Sequence, residues 1–294
     1  MKRNWIVIIM ALFKEIKMNR LSKIILMASA VFLITGLTYT GVYAEEDAKA
    51  SMKSDKTGTN PINFTYDFRV YNEFSWLNAE GDGEQNVTTV EFRMPILDGK
   101  FQFRTRVRGV SIKADYNNDG MDEVDDSGLG EVDFRFLTVP YLNMAKKMAI
   151  AIGLEVFLPT GDTPSGSDRF SIGPQVFGVF FMPFGIKNSL VAPAYQHRVS
   201  TWEDDGVSRL NQSLFDVFFL ITSADKQYWA LINPQYLIDH ETQAQLGFVD
   251  VELGMMLDKY FGTKGHSTYI RPSIGYGENR STDGGIEVGY KMIW

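Results

Sequence analysis

The chain has 294 residues, a net charge of −7 and no cysteine. This acidic balance argues against a nucleic-acid partner, which would require a basic surface. Without cysteine the fold cannot depend on disulfide bonds, so another source of stability such as closure of a sheet is needed. Beyond residue 44 there is no apolar run of about 18 residues, which excludes a helical membrane protein; a barrel needs only alternating strands of about ten residues.

The first 44 residues are typical of an export signal. Lys23 provides a basic flank, residues 24–37 form an apolar core, and Val42-Tyr43-Ala44 forms the cleavage site. Met18 makes a more ordinary signal start than Met1. We therefore predict a signal peptide over residues 1–44, with an uncleaved membrane anchor as the alternative. Its removal leaves 23 bases and 35 acids, a net charge of −12.

The chain changes character after the signal. Residues 45–60 are polar and contain too little apolar surface to fold alone, which predicts a flexible periplasmic leader. From Pro61 onward, apolar and polar residues alternate with the period of a strand. The first predicted strand turns its apolar side chains towards lipid, and these are Ile62, Phe64, Tyr66, Phe68 and Val70.

The same alternation predicts eleven further strands. They span residues 87–96, 100–114, 129–140, 148–159, 170–182, 186–200, 210–222, 228–239, 243–257, 268–277 and 285–294. Long polar loops alternate with short turns, such as the Asp98-Gly99 pair, which is typical of a tight hairpin. This layout predicts an all-β protein, a closed antiparallel barrel of twelve strands over residues 61–294 in a bacterial outer membrane.

Four prolines fall inside predicted strands, where a residue without an N–H weakens the hydrogen-bond ladder. We expect the barrel to accommodate them at bulges. They are Pro174, Pro193, Pro234 and Pro272.

The last predicted strand has the sharpest alternation. Its apolar and aromatic residues are separated by small or charged ones, and the apolar set is Ile286, Val288, Tyr290, Met292 and Trp294. Aromatic rings are favoured at a bilayer interface, and a final strand that pairs with the first leaves no open edge. Tyr290 and Trp294 resemble the closing aromatic signal of outer-membrane barrels, which implies membrane lipid and the barrel-assembly machinery as partners.

The third predicted strand places a column of cations on the inner face. Arg104, Arg106 and Arg108 point inward with Gln102, while Phe103 and its neighbours face lipid. Stacked guanidinium groups require acids nearby, and the candidates are Glu91, Glu131, Asp133, Glu155, Asp250, Glu252 and Glu287. Two interpretations stay open: a charged constriction that selects solutes, or an ion-paired interior that fills the lumen.

Two stretches carry a family resemblance. Residues 127–136 read Ser-Gly-Leu-Gly-Glu-Val-Asp-Phe-Arg-Phe, and residues 153–162 read Gly-Leu-Glu-Val-Phe-Leu-Pro-Thr-Gly-Asp. They resemble the Gly-Leu-Gly-Asp strand and the Leu-Pro-Thr-Gly strand end of outer-membrane transporters associated with meta-pathway phenol degradation. The resemblance implies a barrel that admits small, often aromatic, molecules and brings no catalytic residues with it. The apolar run over residues 177–184 also favours apolar cargo.

Residues 115–126 have the ligand spacing of a calcium loop. Gly120 stands at position six, where a sharp turn is needed, and the oxygen ligands would come from Asp115, Asn117, Asp119, the Met121 carbonyl, Glu123 and Asp126. The loop resembles dockerin-type loops but is flanked by strands instead of helices. The sequence thus offers Ca²⁺ as its one candidate cofactor, and an acidic external loop without a bound ion is the alternative.

The histidines argue against an enzyme. Lipid hydrolases built on such barrels use a Ser nucleophile and a His base, which lie on one strand as His-x-Ser. Neither His197, followed by Ser200 three residues later, nor His266, followed directly by Ser267, matches that spacing. We predict a passive channel or transporter for small molecules. The alternatives are a sealed structural or adhesive barrel with ion-binding acidic loops, a lipid hydrolase, and a soluble secreted sandwich.

Overall fold

The computed structural model describes residues 57–78, 82–115, 124–161, 167–262 and 264–294. The predicted signal peptide and most of the predicted leader lie outside these ranges. The strands are β1 (Asp67–Asn78), β2 (Asp82–Ile96), β3 (Phe101–Ala114), β4 (Val124–Leu129), β5 (Val132–Asn143), β6 (Met148–Leu158), β7 (Arg169–Phe181), β8 (Ser189–Glu203), β9 (Asn211–Thr222), β10 (Tyr228–Asp239), β11 (Gln245–Met256), β12 (His266–Tyr276) and β13 (Thr282–Ile293). A 3₁₀ turn spans Pro183–Gly185, and a short helix, α1, spans Asp258–Phe261.

The helices in the described ranges are too short and too polar to cross a membrane.

The strands close into a ring. Except for β4 and β5, each strand pairs antiparallel with the next, and β1 pairs with both β2 and β13. Both β4 and β5 pair with β3, β4 at residues 109–114 and β5 at residues 101–106, so they share one position in the ring. The predicted closed antiparallel barrel of twelve strands is therefore confirmed.

The single predicted strand over residues 129–140 is wrong in its bounds, because the chain is interrupted between β4 and β5. Gly130 lies at the interruption and donates its N–H to the Arg108 carbonyl at 2.8 Å. A Cβ at this position would lie 2.7 Å from a Val110 methyl group. The backbone therefore passes too close to β3 for a side chain, and the regular ladder stops there.

The first strand begins at Asp67 and not at Ile62 as the alternation predicts. Residues 60–63 form a turn in which the Asn60 carbonyl accepts the N–H of Asn63 at 3.2 Å, and the Asn60 side chain accepts the N–H of Ile62 at 3.2 Å. Ile62 is only 3% exposed and packs in the barrel interior with the inward-facing apolar residues. The prediction that Ile62 faces lipid is wrong.

Side chains on β13 show which face of the sheet is outside. Ile286, Val288 and Tyr290 are 40%, 52% and 37% exposed, whereas Glu287 and Lys291 are 6% and 0% exposed. Because strand side chains alternate, the apolar set faces outward and the charged set faces the lumen. Trp294, at the end of the chain, is also exposed and donates its N–H to the Tyr66 carbonyl at 3.0 Å.

The four prolines are accommodated by gaps in the ladder and not by the predicted bulges. Pro272 remains in register with β13, but the β11–β12 ladder passes from the pair Asp250–Ser273 directly to the pair Leu253–Ile270. Similar gaps accompany Pro234 in the β9–β10 ladder and both other prolines in the β7–β8 ladder. Proline has no N–H to donate, so each one interrupts pairing on one side only.

Short turns close the hairpins at the end of the barrel where β1 starts and β13 stops, which we call the termini end. In the turn between β9 and β10, Asp225 accepts the Ser223 hydroxyl at 2.6 Å and the Gln227 N–H at 3.2 Å. These hydrogen bonds, first that from Ser223, hold the pKa of Asp225 below its ordinary value. The predicted Asp98-Gly99 turn is present, with φ of 59° and 76°.

Candidate functional site

The candidate site is the lumen of the barrel. Its wall is formed by the inward-facing side chains of the ring, and these make two layers. An apolar layer lies at the termini end of β5 to β12, and a charged layer lies nearer the middle of the strands and reaches the termini end on β1 and β13, where Asp67 and Lys291 are buried.

The apolar layer is closed by the chain itself. Its buried members are Ile62, Leu137, Ala149, Ala151, Phe177, Val179, Leu190, Ala192, Leu220, Trp229, Leu231, Met256 and Tyr269. Phe64 packs against this layer, and Thr57 is only 1% exposed. We call residues 57–66 the plug segment, because its buried residues fill the termini end of the lumen. The carbonyl of Gly58 accepts a hydrogen bond from Nη2 of Arg69 at 2.5 Å, which ties the segment to the inner face of β1.

The predicted arginine column is present on β3, and two acids form ion pairs with it. Asp133 on β5 contacts Arg104 at 3.3 Å, Arg106 at 2.9 Å and Arg108 at 2.7 Å. Glu155 on β6 pairs with Arg104 and with Arg106, the latter at 2.7 Å. Strand register explains the grouping, because Arg106 pairs directly with Asp133. Three guanidinium groups thus share two carboxylates.

Glu131 was expected to neutralise this column, but its carboxylate pairs instead with Arg198 on β8. Only its backbone carbonyl reaches the column, accepting Nη1 of Arg108 at 2.6 Å. Glu91 likewise pairs with arginines outside the predicted set, with Arg93 at 2.5 Å and with Arg69 at 3.4 Å. The alternation of polar residues in the first two predicted strands was the available signal that Arg69 and Arg93 face the lumen.

A second ion-paired cluster lies on β10 to β13. Glu252 accepts Nζ of Lys291 at 2.8 Å and Nε1 of Trp229 at 2.6 Å, and it also pairs with Arg271. Arg271 also forms an ion pair with Glu287 at 3.1 Å. Lys291 and Glu252 are both 0% exposed. The sequence predicted Glu252 and Glu287 as lumen acids, and the alternation of the last strand places Lys291 on the same face as Glu287. It did not predict that Lys291 pairs with Glu252.

Asp250, the remaining predicted lumen acid, lies on β11 and accepts Nε2 of Gln235 at 2.9 Å.

Most of the predicted calcium loop lies outside the described residues, including Asn117, Asp119, Met121 and Glu123. Asp115 is buried, and Asp126 pairs with the inward-facing Ile112 on β3. No three metal-binding side chains come together within the part of the chain that the structure describes. Calcium binding stays a prediction.

The structure contains a Ser–His contact that motif spacing did not reveal. The hydroxyl of Ser213 on β9 lies 3.1 Å from Nδ1 of His197 on β8 and 2.8 Å from Nε2 of His240. Tyr195 contacts the same hydroxyl at 3.1 Å. The group lies on the outer face, since Ser213 is in register with His197 and next to the exposed Phe215 row.

This contact lacks two features of a hydrolase. Within the described ranges neither ring is hydrogen-bonded by a carboxylate, and a triad needs such a group to orient the base. Ser213 is also only 5% exposed, which leaves little room for a substrate. We interpret the group as a hydrogen-bonded cluster on the outer wall.

Comparison with known proteins supports the architecture. No protein-family model matches the sequence, and no curated protein matches it. Among solved structures, an outer membrane channel from Pseudomonas putida F1 superposes with a TM-score of 0.62 at 14% identity, covering 79% of this chain and 96% of that one. The NanC porin superposes with a TM-score of 0.50 at 9% identity, covering 77% of this chain and 98% of that one. At these identities the chain shares the barrel fold of outer-membrane β-barrel channels.

Proposed function

We propose that this protein is an outer-membrane channel through which small polar molecules pass without an energy source. The observation that carries the proposal is the closed ring, whose outer face is apolar and whose inner face carries charged side chains. In hydrocarbon every backbone polar group has to be paired, and a closed barrel meets that requirement without an open edge. The barrel likeness to an outer membrane channel and to a porin supports the same role.

The charged layer favours polar over aromatic cargo. The apolar wall that suggested apolar cargo is packed against the plug segment, with Ile62 buried in it. A solute that crosses the barrel also has to pass the guanidinium groups of β3, of which Arg106 and Arg108 are 21% and 18% exposed. The association with phenol degradation therefore stays a prediction, as do the membrane location and the assembly machinery.

We infer that the plug segment keeps the resting conductance low. The test is single-channel recording of the purified full chain in planar bilayers. We compare wild type with Ile62→Asp, in which a buried carboxylate without a cation costs several kcal/mol and expels the segment. Leu97→Asp is the matched control, because Leu97 lies in a turn at the termini end and is 56% exposed.

We expect Ile62→Asp to conduct in larger or more frequent steps than wild type and Leu97→Asp. Folding of each variant is checked by its heat-dependent shift in electrophoretic mobility. If all three proteins insert as folded barrels and none conducts ions, the channel proposal is wrong and the sealed structural barrel takes its place. If Ile62→Asp and wild type conduct equally, the segment is not the resting block.

A further inference from the structure

Opposite the arginine column, the lumen contains two acids that have no ion-pair partner among the described residues. In a ring of twelve positions the strand six places from β3 is β10, so β9, β10 and β11 form the facing wall. Asp216 on β9 pairs in register with Gln235, and Asp250 on β11 pairs with Asn233. All four lie in the middle of their strands, as Arg106 and Arg108 do in β3.

The two acids of this wall, Asp216 and Asp250, form no ion pair in the part of the chain that the structure describes. Within the described residues, no Lys or Arg nitrogen lies within ion-pair distance of Asp216 or Asp250. The cation nearest along β12, Arg271, is bound by Glu252 and Glu287. A carboxylate held in a low-dielectric wall is costly unless a positive charge accompanies it.

Within the described ranges, two buried acceptors on this wall also have no hydrogen-bond donor. They are Oδ1 of Asp216 and Oδ1 of Asn233, and Asn233 is 7% exposed. Asn233 faces the lumen, since it lies two and four residues after the buried Leu231 and Trp229 and so shares their face of β10. Buried acceptors are nearly always paired, so the Asp216 oxygen and the Asn233 oxygen beside Asp250 are both free to accept an N–H or O–H from outside the chain.

We propose that Asp216, Asn233 and Asp250 form a binding station for the ammonium group of a small organic solute in transit. An ammonium group supplies both a positive charge and several N–H donors, which the station lacks. A metal ion fits less well, because within the described ranges no three acidic or His side chains converge. The proposal rests on the proposed channel function and adds the solute class to it.

The charges on the two facing walls should also determine how a solute is oriented in the lumen. The arginine column holds three guanidinium groups against Asp133 and Glu155, while the station holds carboxylates without cations. Opposite charges on facing low-dielectric walls produce a field across the lumen. A solute with both an ammonium and a carboxylate group aligns in it, ammonium towards the station.

The test measures reversal potentials of the full chain in planar bilayers, in the Ile62→Asp background, under a gradient of methylammonium chloride. We expect cations to be preferred over chloride in this background. Replacing both acids, Asp216→Asn with Asp250→Asn, should lower the methylammonium-to-chloride permeability ratio by about fivefold for each carboxylate, as follows from about 1 kcal/mol for one charge at contact distance in water. Asp216→Glu should retain the preference, and Asp125→Asn, on the exposed outer side of β4, should not change it.

Two outcomes overturn the station. One is an unchanged permeability ratio in the double variant, and the other is a preference for chloride before the acids are replaced. A folded barrel that never conducts refutes the proposed function instead. In that case calorimetry of methylammonium binding to the detergent-solubilised protein decides on the station, because absence of binding that depends on Asp216 and Asp250 would refute it separately.

Discussion

Lys291 offers the most direct test of how the lumen is held together. Its ammonium group is 0% exposed and lies 2.8 Å from Glu252, which also accepts Trp229 and pairs with Arg271. The Lys291 ammonium also lies 4.3 Å from the centre of the Tyr269 ring. The variant Lys291→Met keeps the length and apolar stem of the side chain and removes only its charge.

The expected loss follows from the partners that remain. Removing one member of a buried ion pair typically costs about 3–5 kcal/mol, because the other charge is left uncompensated. Here Arg271 and Trp229 still contact Glu252, so we expect the lower end, about 3 kcal/mol. Adding Glu252→Gln removes the stranded carboxylate, and the double variant should lose less than the two single losses together, by a coupling of about 2 kcal/mol.

The measurement is urea-induced unfolding of the full chain in lipid vesicles, followed by tryptophan fluorescence. Lys187→Met, at an exposed turn of the termini end, is the control and should stay within about 0.5 kcal/mol of wild type. A loss within that range for Lys291→Met would contradict a stabilising ion pair, since Lys291 would then contribute no more than a surface lysine. Strict additivity of the Lys291 and Glu252 changes would show that the two groups do not interact.

Three further predictions concern the plug segment, a close contact and the outer wall. In Arg69→Lys the guanidinium bridge from Asp67 to the Gly58 carbonyl is lost, and chymotrypsin should cleave at Phe64 roughly tenfold faster, as expected for a charge-assisted hydrogen bond of about 1.5 kcal/mol; equal cleavage rates would contradict the anchoring role. A Cβ at Gly254 would overlap the Trp229 ring, so Gly254→Ala should destabilise by about 1–3 kcal/mol, whereas Gly109→Ala, with open space, should not. Ser213→Ala leaves His197 and His240 without their shared partner and should cost about 1 kcal/mol in urea unfolding, against no change for the exposed Ser127→Ala. Loss of a measurable phospholipid hydrolysis in Ser213→Ala would instead show that the cluster is catalytic.

Much of the barrel could be predicted because the alternation of apolar and polar side chains along a strand is visible in a few consecutive residues. The apolar set on β13 and the arginine column on β3 both follow from alternation alone, and the structure places Tyr290 outside and Arg106 inside. Strand ends were less predictable where the backbone meets a neighbour. The predicted strand over residues 129–140 starts too early because Gly130 lies too close to β3 for a regular ladder, and no local pattern contains that closeness.

The plug segment could not be predicted for a related reason. Ile62 and Phe64 alternate with polar residues just as a strand does, so the pattern is the same whether they face lipid or the lumen. Whether these side chains face lipid or the lumen depends on whether the lumen has space lined by apolar residues. That space is formed by residues more than seventy positions later, such as Leu137 and Phe177. The contact between Ser213 and His240 depends in the same way on which strands become neighbours, and the contact between Glu131 and Arg198 depends on which strands the closed ring brings together across the lumen.

The width of the ring explains why both layers of the lumen exist. Eight-stranded barrels are filled by their own side chains, whereas sixteen or more strands leave an aqueous channel. Twelve strands fall between these cases, and here the chain narrows the lumen with a folded segment at one end and with ion pairs in the middle. An apolar layer alone would exclude polar solutes, and a charged layer alone would stay open at rest. The proposed block at Ile62 and the proposed station at Asp250 lie in different parts of the barrel, so we expect that resting conductance and charge selection can each be changed by mutation without the other.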